Sequence, residues 1–416
     1  MAGPGELFQL QLFMLRNLVF FAAVLAMNYT LSRPSPVDFL FVASFALSLF
    51  IRHRMHAAVL ILFILLGLWA FSFYAASIPY LGQGEVGDEL FKKTFVVALA
   101  IISAYVGSSW GERQYHRFFS FYVASCVVAA SLGIIGFVLQ IDELLWDDRA
   151  RGFIDDPNMY GSFLIPGALA SIYFFHSGSH RIFYASAGGV ITLGILFSFS
   201  RAATAALLFV SFMYIVILYR KRILRLTAAA VAAAIVMAAL FTAAFALIEN
   251  FSDKFLERAT FAADYDRGRE GRYARYARSL HMILENPTGL GINQQDEIFA
   301  EPIHNIFLSS FLNYGWLAGV AWLLTFIGSL WLAKENFHST GSPIVGLLTV
   351  SFLGPVLCAN LHEGEHWRHL WLFLGLLWGL NPRNFPRRAG IAVRADGDFG
   401  RQAPTRLVTV GDRQVP

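Results

Sequence analysis

Up to about residue 380 the chain alternates long apolar runs with short polar links. A hydrocarbon core of ~30 Å needs about 20 apolar residues per crossing helix, which predicts about twelve spans, some tilted or short. Their limits are Leu12–Leu31, Val37–Ile51, Ala57–Ser77, Thr94–Ser109, Phe118–Ile141 and Met159–His176. Then follow Ile182–Phe199, Ala202–Tyr219, Ile223–Ile248, Ile306–Ala333, Ile344–Leu361 and Trp367–Leu380. The seventh and eighth are separated on length alone. As one straight helix, Ile182 to Tyr219 would be ~57 Å long, nearly twice the core. The chain has to turn back, and Ser198-Phe199-Ser200-Arg201 is the only polar place to do so. The first run has no small-residue cleavage site after it and reads as a retained helix. The expected fold is thus an all-α polytopic membrane protein. A transmembrane domain covers residues 1–380, including a long polar loop over 249–303, and a basic tail covers 381–416. Beyond Pro386 the tail has little apolar content and is expected to be disordered.

Loop charges orient these spans. With the N-terminus inside, the inner links are Arg52-His53-Arg54, Glu112 to Arg117, His176 to Arg181, Arg220-Lys221-Arg222 with Arg225, and Lys334 to Ser342. The tail, with Arg383, Arg387 and Arg388, is inside as well. The outer links are Gly82 to Lys93, Asp142 to Asn158, the long loop, and His362 to Trp367. Most inner links are basic and most outer ones acidic, so both termini are expected in the cytoplasm. Composition agrees: 56% of the 416 residues are apolar and 14% charged, too few charges for a soluble domain. A net charge of +4 is too small to suggest nucleic acid. Cys126 and Cys358 lie far apart inside apolar runs, which indicates neither a disulfide framework nor a cysteine-ligated metal.

The outer links hold the residues with chemistry. In the long loop Arg267, Arg269, Arg272, Arg275 and Arg278 crowd together, while Tyr273, Tyr276 or Ala277, Leu280 and Leu284 recur at helical spacing. This predicts an amphipathic helix with arginines opposite an apolar face, ended by Asn286-Pro287 and the turn residues Gly289 and Gly291. Such a helix can simply lie at the interface with its arginines among lipid headgroups. Planar guanidinium forks also suit phosphate oxygens. Arg201 stands at a tight helix reversal, where a snorkelling arginine and a cavity-facing functional one are the competing readings. Asp156-Pro157-Asn158 reads as a helix start with Asn158 capping. His304, between Ile303 and Asn305, is a residue type ready to accept a proton near neutral pH, although a histidine at a helix start is more often structural. One motif competes: His362-Glu363-Gly364-Glu365-His366, with His369 near, fits the zinc-protease pattern H-E-x-x-H. It contains a glycine and sits in a tight turn, and no obvious third acidic ligand lies on another span.

Taken in order, Arg151 to Asn158, Ser200-Arg201-Ala202, Gly271-Arg272, Asn286-Pro287-Thr288-Gly289-Leu290-Gly291, His304-Asn305 and Asn313-Tyr314-Gly315 resemble the motifs of the O-antigen ligase and O-antigen polymerase superfamily of bacterial inner membranes. The resemblance runs from about Arg151 to Gly319; the first spans match only in hydropathy. Tyr276 departs from the pattern, standing where many relatives carry a tryptophan. The resemblance implies a GT-C-like membrane glycosyltransferase with no metal cofactor and with a large periplasmic loop between helices 9 and 10. Its donor would be a glycan on undecaprenyl diphosphate. Its acceptor would be lipid A–core oligosaccharide in a ligase or another lipid-linked repeat in a polymerase. By position, Arg201 and Arg272 would hold the diphosphate and His304 would act near the acceptor hydroxyl, with Arg151, Asn158, Arg275 and Asn305 as further substrate contacts. A transporter is the alternative from another class, but the long loop is external and late, and no half-to-half similarity is evident.

Overall fold

The computed structural model describes residues 4–31, 34–53, 55–178, 180–220, 271–299 and 301–386, with scattered positions between 222 and 242. The described residues up to Pro386 belong to one compact unit, and the tail from 387 lies outside the described residues. The helices are α1 (Pro4–Ala26), α2 (Pro36–Ser48), α3 (Ala57–Ser77), α4 (Gly84–Gly107), α5 (Glu112–Leu139), α6 (Pro157–Ser177), α7 (Arg181–Phe197) and α8 (Arg201–Tyr219). They continue with α9 (Arg272–Glu285), α10 (Ile306–Thr340), α11 (Pro343–Ala359) and α12 (Arg368–Gly379). A two-stranded antiparallel hairpin, β1 (Leu145–Trp146) and β2 (Arg149–Ala150), lies between α5 and α6.

Helices stand at every predicted apolar span but the ninth, Ile223–Ile248, most of which lies outside the described residues. Among the described residues six helices are long and apolar enough to cross a membrane: α1, α3, α4, α5, α8 and α10. Three shorter ones, α2, α7 and α11, are apolar as well. Large apolar side chains on α3, α8 and α10, such as Phe63, Phe71, Phe209, Phe212 and Trp331, face outward. Helices apolar on both their packed and their exposed sides belong in lipid. The chain is an all-α membrane protein.

At the centre stands α12, whose every residue from Arg368 to Gly379 is buried. It packs on α4. A Cβ at Gly375 would sit 2.1 Å from the Ala100 carbonyl oxygen, and one at Gly379 2.3 Å from that of Ala104. Two glycines four apart therefore let the backbones touch, where van der Waals packing must do the work that hydrophobicity does in water. Around this pair α10 packs on α3, α6 on α5 and α7, and α11 on α6 and α8.

Two expectations change. The predicted outer link Gly82 to Lys93 is helical from Gly84, and Lys93 is a buried residue of α4. Residues 381–386, ahead of the stretch expected to be disordered, pack on the helices: Asn384 donates to the Ser108 and Trp110 carbonyls, and Phe385 is buried. Finally, the tenth span is not one continuous helix. Gly315 adopts φ +83° and ψ −179° and breaks α10 near its start.

The segment Asn286–Gly291 docks into that break. Leu290 and Gly291 donate their backbone N–H groups to the Leu312 and Asn313 carbonyls, at 2.9 Å each. Trp316 N–H donates to the Pro287 carbonyl (2.9 Å), and Ser72 Oγ to the Tyr314 carbonyl (2.8 Å). The groups that a broken helix leaves open thus find partners. Gly289 (φ +83°) and Gly315 meet face to face: a Cβ on the first would lie 2.5 Å from Gly315 N, and a Cβ on the second 2.5 Å from the Pro287 oxygen. The Gly315 conformation is essentially open only to glycine. Gly315→Ala is expected to cost about 1–3 kcal/mol from backbone strain alone, before any clash. This is measured as a lower unfolding temperature in detergent; an unchanged temperature would refute the docking account.

Candidate active site

The first group of candidate residues gathers at the α7–α8 reversal. The chain turns at Ser198-Phe199-Ser200, as its length required. Phe199 takes φ +47°, a rare conformation for a bulky side chain. Its surroundings hold it there: Ser200 N–H donates to Ser198 Oγ, and Ser200 Oγ caps α8 by accepting from Ala203 N–H. From the hairpin, Arg149 donates through Nε to the Ser198 carbonyl (2.8 Å) and through Nη2 to Asn158 Oδ1 (2.9 Å). The reversal makes Arg201 the first residue of α8, half-buried, at the positive end of a helix.

A second group forms where α9 meets the start of α10. Arg272 is the first residue of α9, after Gly271 at the cap. The side chains of Arg272 and Tyr273, and all of Arg267 and Arg269, lie outside the described residues. One turn on, Tyr276 Oη donates to the His304 carbonyl (2.7 Å) and to that of Asn360 (3.4 Å). Tyr276 thus ties α9 to the backbone of His304 through its hydroxyl. The His304 ring is half-buried and faces the His362 ring, with centroids 6.2 Å apart.

The predicted amphipathic helix is present and ends at Asn286, and the structure decides which of its faces meets the protein. Arg275, Ser279 and Ile283 are buried against the protein, while Leu280 and Leu284 are 55% and 68% exposed. Arg275 grips Glu301 twice, through its carbonyl and its carboxylate, both at 2.8 Å. The Arg275 guanidinium is only 3% exposed, so this pair fixes the arginine on the side of α9 that meets the protein.

The remaining candidates have structural engagements. Arg151 donates to the carbonyls of Leu145, Asp155 and Glu143 and lies over the Trp146 ring. Asp156, not Asn158, caps α6: its carboxylate accepts from the Asn158 and Met159 N–H groups, and Pro157 takes the first helical position. A carboxylate two residues earlier is the better-placed acceptor, which leaves the Asn158 amide oxygen to Arg149. Asn305 caps α10 by accepting from Phe307 and Leu308 N–H, and its amide donates to Asn360.

The H-E-x-x-H segment is a turn, not a helix, so its histidines do not share a helical face. Among the described residues no group of three or more His, Cys, Asp or Glu side chains is arranged to hold a metal ion. The segment has another use. Glu365, 2% exposed, accepts from Lys93 Nζ (2.6 Å), Tyr314 Oη (2.7 Å) and Ser309 Oγ (2.5 Å). Three residues later Arg368 pairs with Asp38 at 2.8 Å, also buried. These two ion pairs tie the turn to α4 and α2, and the Ser309 and Tyr314 hydroxyls tie it to α10, which together hold His362 beside His304. Lys93 escaped the sequence reading, although it falls on the buried stripe Val86, Leu90, Val97, Ala100 of α4, where a lysine is out of place.

Both groups lie at one end of the bundle, the end that loop charge assigns to the outside. The first turns of α6 join them. Gly161 lies against Ser198 and Ala203 of the reversal, and Ser162 Oγ hydrogen-bonds His369 Nε2 (2.9 Å) next to the anchored turn. Beside His362, Glu363 opens to water yet is walled by protein on its other sides. Loss of solvation pushes its carboxyl up, to about 7; Lys93 opposes the rise, and Glu365, Asp296 and Glu89 add to it.

No curated protein matches the chain. Residues 186–323, which run from within α7 through α9 into α10, match the family model described as O-antigen ligase, bearing out the resemblance: the chain carries a region of the O-antigen ligase and polymerase superfamily.

Proposed function

We propose that the protein is an O-antigen ligase of the bacterial inner membrane. It transfers a glycan from undecaprenyl diphosphate to lipid A–core oligosaccharide at the periplasmic face. The observation that carries this reading is the shared placement of Arg201 and Arg272. Each opens a helix, α8 and α9, at the end of the bundle where His304 meets His362. A helix N-terminus and an arginine both favour a phosphate oxygen, and here the two come together twice.

The reaction breaks the bond between the anomeric carbon and a diphosphate oxygen and forms one from that carbon to the acceptor hydroxyl oxygen. Negative charge grows on the departing diphosphate, and the two arginines meet it with charge-assisted hydrogen bonds. His304 takes the acceptor proton during attack. Direct displacement inverts the anomeric carbon, and the polyprenyl tail stays in lipid. Tyr276 and the anchored turn position the His304 backbone and ring for this role.

Deletion followed by analysis of lipopolysaccharide tests the reading. The expected result is a core free of glycan, with lipid-linked polymer still present. A core bearing a single repeat would instead identify a polymerase. Turnover from purified donor and acceptor in detergent is also expected, since transfer needs no sealed compartment; a requirement for one would point to a transporter.

A further inference from the structure

Helix α9 carries two different exposed arcs. Ala277, Leu280 and Leu284 line one, and Arg278, His281 and Glu285 line the other, with His281 and Glu285 paired at 3.2 Å. With 3.6 residues per turn these arcs are adjacent on the helix surface, beside the buried face of Arg275, Ser279 and Ile283. The apolar arc also has a neighbour. Trp316 Nε1 donates to the Ile283 carbonyl at 2.7 Å. Trp316, Leu317, Val320 and Leu324 then continue along α10 as an exposed apolar row on a helix long enough to cross a membrane. The bond sets the last turn of α9, with the exposed Leu280 and Leu284, at the head of that row. A helix split lengthwise into a water-facing and an apolar side is built to lie at a lipid–water boundary.

We propose that α9 is a membrane-contacting helix, its Leu280 and Leu284 seated in the acyl-chain edge of the outer leaflet and its His281–Glu285 side in water. The occupant of the stripe is bulk bilayer lipid. The consequence rests on the proposed function: the membrane contact sets the level of Arg272, at the start of the same helix. A diphosphate whose tail is buried in that leaflet is held at the headgroup level, so enzyme and donor share one vertical reference.

The test uses the full chain in lipid nanodiscs. Single cysteines at Leu280→Cys, His281→Cys, Leu284→Cys and Glu285→Cys are labelled with a nitroxide, the unsubstituted protein serving as blank because Cys126 and Cys358 are buried. Collision with oxygen, which partitions into lipid, is compared with collision with a water-soluble nickel chelate. Positions 280 and 284 are expected to favour oxygen, and positions 281 and 285 the chelate. Preference for the chelate at all four would overturn the proposal, as would shielding of 280 and 284 from both reagents, which means that protein covers the stripe. Leu280→Asp with Leu284→Asp is expected to shift the 281 and 285 labels toward greater chelate access; no shift there counts against the membrane seat. The depth pattern needs no turnover, so wild-type protein that shows it but transfers no glycan would refute only the proposed reaction.

Discussion

Alanine in place of Arg201 is expected to slow glycan transfer by about 100-fold, and alanine in place of Arg272 by about as much, with both variants still folded in the membrane. The magnitude is that of removing one donor aimed at charge developing in the transition state, ~3 kcal/mol. Loss of His304 is expected to cost a further ~100-fold or more through the missing base. Arg201→Lys separates charge from geometry: an ammonium keeps the charge but not the two-pronged fork, so partial activity is expected. The measurement is turnover of purified donor and acceptor in detergent. Near-normal rates in both arginine variants would remove the diphosphate clamp. A His304→Ala enzyme with full activity and an unaltered pH profile would eliminate the imidazole as base.

Lys93→Met is expected to destabilise the protein by about 3–5 kcal/mol, because Glu365 is left as a buried charge without its counterion. The effect should exceed that of any exposed substitution, since the Lys93 and Glu365 side chains are 7% and 2% exposed. The companion Lys93→Met with Glu365→Gln removes both charges while keeping an acceptor for Ser309 and Tyr314, and is expected to recover much of the loss. Stability in detergent, compared across the two single variants and the double one, measures their coupling. A Lys93→Met protein as stable as the wild type would show that the ion pair does not anchor the turn that holds His362.

The sequence by itself determined the helices and where they reverse. A bilayer sets the length that an apolar run must reach, and the Ile182–Tyr219 run is too long for one crossing, so the turn at Ser198–Arg201 follows from arithmetic. The end of α9 at Asn286-Pro287 follows from local chemistry in the same way. Motif order made Arg201, Arg272 and His304 visible as candidates, because each stands at or beside a helix start. Tertiary structure alone decided the rest. Lys93 and Glu365 are partners across 272 residues, and no local pattern records such a pairing. Gly289 reads as a turn residue and Gly315 as part of an apolar span, yet each is required by the backbone of the other. Most telling is α9, whose two faces were legible but whose orientation was not. In water an apolar face must turn inward; beside a bilayer it is equally at home against lipid, so periodicity marks the faces and only the Arg275–Glu301 pair says which one meets the protein.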